Sequence, residues 1–203
     1  MRRILLSIIS LVAFASMASA QQKIYVCEGF RYEVYDIKST DDIVFSADGQ
    51  EVSIGDYDTY ELEEIDSITF AEPQYPKVEI KYNGASATVE VGHNVKGVTY
   101  SVKGANVVLT SSTTTDEYLY TVSGKSDNGS LVINGTYKLT VELAGLDLTN
   151  PNGPAIDIEC GKRIGVVLKK GTVNNLADGK SGDHKGAFYT EGHPEFEGKG
   201  TLN

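Results

Sequence analysis

From Lys77 to the C-terminus the chain is a succession of short runs in which apolar residues recur at every second position: "KVEIKY", "ATVEV", "VTYSV", "NVVLT", "YLYTV", "SLVI", "KLTVEL", "LDLT", "AIDIE" and "GVVL". A period of two sends alternate side chains to opposite faces of a strand, and no segment here sustains helical spacing. Gly, Asn and Asp punctuate the runs at short intervals. Strands this short and this numerous leave a sandwich, a barrel or a solenoid.

Self-comparison favours the solenoid. "GPAIDIECGKRI" (Gly153 to Ile164) aligns with "KGAFYTEGHPEF" (Lys185 to Phe196), setting Ala155 on Ala187, Glu159 on Glu191 and Ile164 on Phe196. "VELAGLDLTN" (Val141 to Asn150) resembles "VVLKKGTVNN" (Val166 to Asn175) with one extra residue in the second copy. Repeats of about 25 to 32 residues with two or three strands each are those of stacked coils. The extra length of the second coil falls in the polar loop "LADGKSGDHKG" (Leu176 to Gly186), where a solenoid tolerates insertion.

Before Lys77 the chain differs in kind. Residues 1–20 read as a secretory signal: Arg2 and Arg3, an apolar run from Ile4 to Met17, and a small-residue end at Ala18-Ser19-Ala20, with cleavage expected before Gln21. The apolar run is short for a membrane span, and no cysteine stands at the cleavage point to accept lipid. The expected product is exported, to the periplasm, the cell surface or the medium, without membrane insertion. From Gln21 to Pro76 there are 14 Asp and Glu against 3 Lys and Arg, a net of −11, whereas Lys77 to Asn203 is nearly balanced. So acidic a surface repels nucleic acid and anionic lipid.

Within the acidic stretch, "YEVYDIKSTDDIVFS" (Tyr32 to Ser46) and "YDTYELEEIDSITFA" (Tyr57 to Ala71) superpose at an offset of 25 residues. Tyr32 falls on Tyr57, Tyr35 on Tyr60, Ile37 on Leu62, Asp41 on Asp66, Ile43 on Ile68 and Phe45 on Phe70. The Ile-x-Phe ends alternate as strands do, and "ADGQ" supplies an Asp-Gly turn, so residues 21–72 read as a small acidic β module with two similar halves. An amphipathic helix through Tyr57 to Ser67 is the alternative, opposed by the β-branched "IDSITF". "AEPQYPK", with two prolines, marks a linker at 73–77, and 78–203 form the second domain. Cys27 and Cys160 lie in different modules. Export permits a bridge between them, but cysteines so placed are more often free.

"NGTYKLTVELAGLDLTNPNGPAIDIECGKRIGVVLKKGTVNNLADG", continuing through "KGAFYTEGHPEFEGKGTLN", resembles the secreted carbohydrate-binding right-handed parallel β-helix family of Bacteroidetes and clostridia, pectate-lyase-like solenoids. The resemblance covers roughly Val98 to Asn203, most specifically "NPNGPAIDI" and "KGAFYTEG". It implies an all-β chain whose second domain holds the N-terminal coils of such a helix, a calcium-dependent polysaccharide-binding surface without assigned catalysis, and further coils after Asn203. "EEIDSITF" separately resembles a segment common near the start of secreted Bacteroidetes proteins.

Strand alternation in "AIDIE" points Ile156 and Ile158 inward and Asp157 and Glu159 outward. The same register in "AFYTE" buries Phe188 and Thr190 and exposes Tyr189 and Glu191. One outer face then sets Asp157 beside Tyr189 and Glu159 beside Glu191. Opposed like charges are unfavourable, and a hard cation such as calcium would relieve them. Tyr189 offers a flat face for a sugar ring. These four are the candidate carbohydrate-binding residues, and the three acids are candidate calcium ligands. Asp178 and Asp183 in "ADGKSGDHKG" are two further candidate ligands, although the EF-hand order is missing. The competing reading is a solvated sheet face and a plain surface loop.

Catalysis finds little support. A lyase needs a base close to calcium, and no spacing singles out one of Lys162, Arg163, Lys169 and Lys170. His93, His184 and His193 fall in turns and are scattered, indicating neither a zinc site nor a triad. Glu195 and Glu197 are adjacent acids on an exposed strand. "NGS" at Asn128 and "NGT" at Asn134 read as turns. The leading expectation is an exported, calcium-assisted, non-catalytic polysaccharide-binding protein with the acidic module as an accessory or attachment unit. A β-helical lyase or hydrolase with its catalytic coils beyond Asn203, and a structural or adhesive surface protein, are the rivals.

Overall fold

The computed structural model describes residues 22–38, 42–182 and 184–203. The expected signal segment and its cleavage point, Asp41 and Asp183 lie outside the described residues. Among the described residues every regular element is a strand, and no helix is long and apolar enough to cross a membrane. The chain divides into two compact units, Met1–Glu72 and Pro73–Asn203.

The first unit holds β1 (Gln22–Glu28), β2 (Arg31–Ile37), β3 (Ile43–Phe45), β4 (Glu51–Ile54), β5 (Asp58–Glu61) and β6 (Ser67–Thr69). They form two antiparallel sheets, ordered β2-β1-β6 and β3-β4-β5. The internal repeat superposes β2 on β5 and β3 on β6, so each half lends its third strand to the other half's sheet. Register extends the correspondence to β1 and β4. Ile24 faces Tyr35 as Val52 faces Tyr60, and Val26 faces Ile68 as Ile54 faces Ile43. The buried core is three equivalent pairs: Ile24 with Val52, Val26 with Ile54 and Tyr35 with Tyr60. The phenols of the last pair hydrogen-bond one another, and Tyr35 donates to Asp58 Oδ2 at 2.7 Å. Burial, then these two hydrogen bonds, push the Tyr35 phenol far above its ordinary value. The stretch open to a helical reading, Tyr57 to Ser67, is β5 and a turn leading to β6. Tyr60 on β5 packs into the core opposite Val52, which a helix through those residues could not arrange.

The second unit runs β7 (Lys77–Asn83), β8 (Ser86–Val91), β9 (Val98–Lys103), β10 (Asn106–Ser111), β11 (Leu119–Ser126), β12 (Ser130–Asn134), β13 (Leu139–Asn150), β14 (Ile156–Glu159), β15 (Arg163–Leu168), β16 (Val173–Asp178), β17 (Phe188–Thr190), β18 (His193–Gly198) and β19 (Thr201–Leu202). Its sheets are mixed. β7 with β8, and β9 with β10, are antiparallel hairpins rather than the coils expected from residue 78. Both close through two-residue Gly-Ala loops, and Gly84 and Gly104 each hold φ +62, the geometry that tight hairpins of this hand require.

From β10 onward pairing is parallel. One sheet is ordered β17-β14-β12-β10-β9, and the other β18-β15-β13-β11-β7-β8. The twelve-residue β13 bends at Gly145, pairing with β15 before the bend and with β16 after it; β16 in turn pairs with β19. The inward residues of the two sheets, among them Val107, Leu109, Leu131, Ile133, Val141, Leu143, Ile156 and Ile158, make one core. Burial of each such side chain contributes about 1.5–3 kcal/mol.

The bend in β13 is held by one side chain. Asn174 is fully buried, its Oδ1 accepting from the N–H groups of Gly145 and Leu146, both at 2.9 Å. Its Nδ2 donates to Thr201 O at 3.0 Å and Thr172 Oγ1 at 3.3 Å. A single amide thus ties β13, β16 and β19 together.

The observed register refines the repeats. Ile156 pairs with Phe188 at the 32-residue offset, whereas Ile164 pairs with Pro194 at an offset of 30 and not with Phe196. Between the last pair of β14 with β17 (Ile158–Thr190) and the first of β15 with β18 (Arg163–His193) the second coil is two residues shorter, and Gly192 makes this possible. A Cβ there would lie 2.0 Å from Lys162 O and 2.5 Å from Cys160 O. In the other repeat, Val141 pairs with Val166 at 25, but Asp147 pairs with Asn175 at 28 because of the bend. Cys27 and Cys160 are both buried and free.

Candidate functional site

The outer face of the five-stranded sheet carries side chains stacked in register. Ser101, Val108, Val132, Asp157 and Tyr189 form one row across β9, β10, β12, β14 and β17, and Thr110, Asn134 and Glu159 form the next. Adjacent members stand about 4.8 Å apart, the spacing of paired strands. Ile156 and Ile158 point inward and are fully buried, which fixes Asp157 and Glu159 on the outside.

The carboxylates of Asp157 and Glu159 converge on a third residue. His184, in the loop between β16 and β17, places Nδ1 3.3 Å from Asp157 Oδ2 and 3.5 Å from Glu159 Oε1. Its ring stacks on Tyr189, with centroids 3.7 Å apart and planes 17° from parallel. The three side chains are 19% (Asp157), 31% (Glu159) and 28% (His184) exposed, and Asp157 Oδ1 is buried without a hydrogen-bond partner among the described residues. One atom from each of the three lies within 4.8 Å of the others, spacing that could hold a cation. Among the described residues His184 is the basic side chain that approaches both acids.

Of the other expected ligands, Asp183 lies outside the described residues. Asp157 does stand beside Tyr189; Glu191 is exposed, directly after the last paired residue Thr190, with its N–H donating to Ile158 O. Asp178 Oδ2 accepts from the N–H of Gly186 at 3.2 Å and is outside the cluster. One face of Tyr189 is covered by His184, which limits sugar stacking to its other face. Sequence reasoning missed His184. The usable signal was its position directly before the segment that repeats Asp157 and Glu159.

Two of the four candidate bases are committed on the other sheet. Arg163 Nη2 hydrogen-bonds Glu117 Oε1, Arg163 Nη1 lies 3.7 Å from Glu195, and Lys169 lies 3.9 Å from Glu142. Glu117 is 10% exposed and also accepts from Lys138 Nζ and Thr140 Oγ1, each at 2.9 Å. Burial by itself would raise its pKa, but the hydrogen bonds from Lys138, Thr140 and Arg163, with the Arg163 charge, hold it below the ordinary carboxylate value. This is an ion cluster binding β13 and β15 to the segment before β11. Glu195 and Glu197 lie on the wholly exposed β18.

A search among curated proteins finds no match. A solved structure described as the polysaccharide lyase-like protein from C. thermocellum, a gadolinium derivative, is similar over 62% of this chain at 21% identity with a TM-score of 0.49. The matched region spans 51%, about half, of that protein's chain. Residues 103–203, which include the outer face of β10, β12, β14 and β17, match the model of a family described as carbohydrate-binding domain-containing protein, and this match supports carbohydrate binding.

Proposed function

We propose that this is an exported, non-catalytic polysaccharide-binding protein whose glycan lies along the outer face of the five-stranded sheet. The observation that carries the reading is the in-register row Val108, Val132, Asp157 and Tyr189, which falls inside the segment matching the carbohydrate-binding family. Apolar, acidic and aromatic groups repeated at strand spacing offer a linear polymer both contact area and hydrogen-bond acceptors. The parallel ladders from β10 onward support a β-helical architecture, and crossovers between parallel strands of one sheet are right-handed in nearly all proteins. The acidic first unit is the attachment module in this reading.

Calcium was the cation suggested by the outward acids. It takes six to eight oxygen ligands. Among the described residues the carboxylates that converge here are those of Asp157 and Glu159, and the third donor is a nitrogen, so these three residues by themselves do not fit a calcium cage. The glycan reading does not need calcium.

The test is retention of the full chain on insoluble cellulose and on pectin gels, with calcium and then with chelator. Saturable retention without release of unsaturated sugars, weakened in Tyr189→Ala and Val132→Lys, is expected. No retention on any glycan would leave the sheet face a scaffold and overturn the proposal.

A further inference from the structure

We infer that Asp157, Glu159 and His184 form a binding site for a borderline transition-metal dication, with zinc as the reference ion. Three observations carry this. First, the Nδ1 of His184 stands almost equidistant from two carboxylates, at 3.3 and 3.5 Å. A direct charge-assisted N–H···O bond closes to about 2.7–2.9 Å. The His184–Asp157 contact at 3.3 Å is a long hydrogen bond, and the spacing also suits donors that share an ion, since bonds of about 2.0–2.1 Å arranged tetrahedrally put neighbouring donors about 3.3 Å apart.

Second, Asp157 Oδ1, the oxygen of that carboxylate other than the one nearest His184, is buried with no hydrogen-bond partner among the described residues. An orphaned carboxylate oxygen is costly and calls for something to satisfy it. The two acids carry two negative charges opposite one imidazole, and a dication removes that imbalance. Third, the donors are held in place before any ion arrives. Asp157 and Glu159 are fixed by the buried Ile156 and Ile158 of the same strand, and His184 is stacked against Tyr189.

Donor chemistry then selects the ion. Two carboxylate oxygens and an imidazole nitrogen suit zinc and its first-row neighbours, whereas calcium needs more oxygens than the described residues bring together here. Three protein ligands leave a fourth position open toward solvent on the outer face, available to water or to an oxygen ligand.

The experiment is calorimetric titration of chelator-stripped full chain with zinc chloride alone, repeated with calcium chloride and followed by cobalt(II) absorption. The expected result is one zinc per chain, not displaced by millimolar calcium, with a tetrahedral cobalt spectrum that fades on acidification as the ligands protonate. His184→Ala and Glu159→Gln should each weaken zinc binding by about tenfold or more, while His93→Ala and His193→Ala should not. Far-UV circular dichroism of each variant establishes that it is folded. Absence of zinc binding, zinc affinity unchanged in folded His184→Ala, or tighter binding of calcium than zinc would each overturn the assignment. A chain that is retained on glycan yet ignores zinc sinks this inference alone. One that binds zinc but no glycan sinks only the preceding proposal.

Discussion

Replacing Asn174 by alanine tests whether one amide holds the bend of β13. The substitution orphans the N–H groups of Gly145 and Leu146, both bound at 2.9 Å, and the carbonyl of Thr201. Leu146 is fully buried and Gly145 half-buried, so water cannot replace the lost acceptor at the first and reaches the second poorly; Thr201 is exposed, and its carbonyl can turn to solvent. Leaving a buried donor unsatisfied costs about 1–3 kcal/mol. Two such donors and the small void left by the side chain place the loss at about 3–5 kcal/mol. Asn174→Asp keeps the acceptor but sets a fully buried carboxylate against Thr201 O, and should cost at least as much as alanine at neutral pH and less once the acid is protonated and can donate to that carbonyl. The assay is urea unfolding of the second unit, followed by hydrogen exchange at the Gly145 and Leu146 amides, which should lose protection first. Stability of Asn174→Ala within about 0.5 kcal/mol of the parent, with both amides still protected, would refute the reasoning.

Two further outcomes follow from the same chemistry. Glu117→Gln should cost about 1.5–3 kcal/mol at neutral pH, because hydrogen bonds to a charged group are lost. Since the folded-state pKa of Glu117 is depressed, its contribution is fully present above the ordinary value of 4.5 and is lost as pH falls through the lower folded value. Urea midpoints measured from about pH 6 down to pH 3 should therefore fall less steeply in Glu117→Gln than in the parent, and parallel curves would count against the ion cluster. Gly192→Ala should destabilise β17 and β18 by several kcal/mol, because its Cβ would collide with backbone oxygens at 2.0 and 2.5 Å that cannot rotate away. Thermal unfolding indistinguishable from the parent would mean that this turn has room the geometry denies.

Much of this arrangement could be read from the residues because burial obeys alternation. Ile156 and Ile158 had to face inward once "AIDIE" was a strand, and that alone put Asp157 and Glu159 outside. The 32-residue offset correctly paired Asp157 with Tyr189 because β14 and β17 meet without a gap in their alignment. It failed at the next pair of strands, where Ile164 meets Pro194 rather than Phe196, because a turn can shorten wherever glycine admits a close approach, and an apolar pattern does not reveal which oxygens lie nearby. The hairpins at Gly84 and Gly104 were marked by their Gly-Ala pairs, but strands of parallel and antiparallel sheets share the same period. His184 was hidden for a different reason. Its loop has no periodicity, so only the path of the chain brings it onto Asp157 and Glu159.

The exchange of third strands in the first unit bears on how that unit behaves in company. A half separated from its counterpart keeps one two-stranded hairpin and one orphan strand, which is too little to stand alone in water. The unit therefore forms as a whole or not at all. Each half also presents a seat that the equivalent half of another molecule fits equally well, so a chain opened at the middle of the repeat is poised to trade halves with a neighbour. The 14 acids against 3 basic residues between Gln21 and Pro76 act against that trade, since two such surfaces repel before their strands can meet.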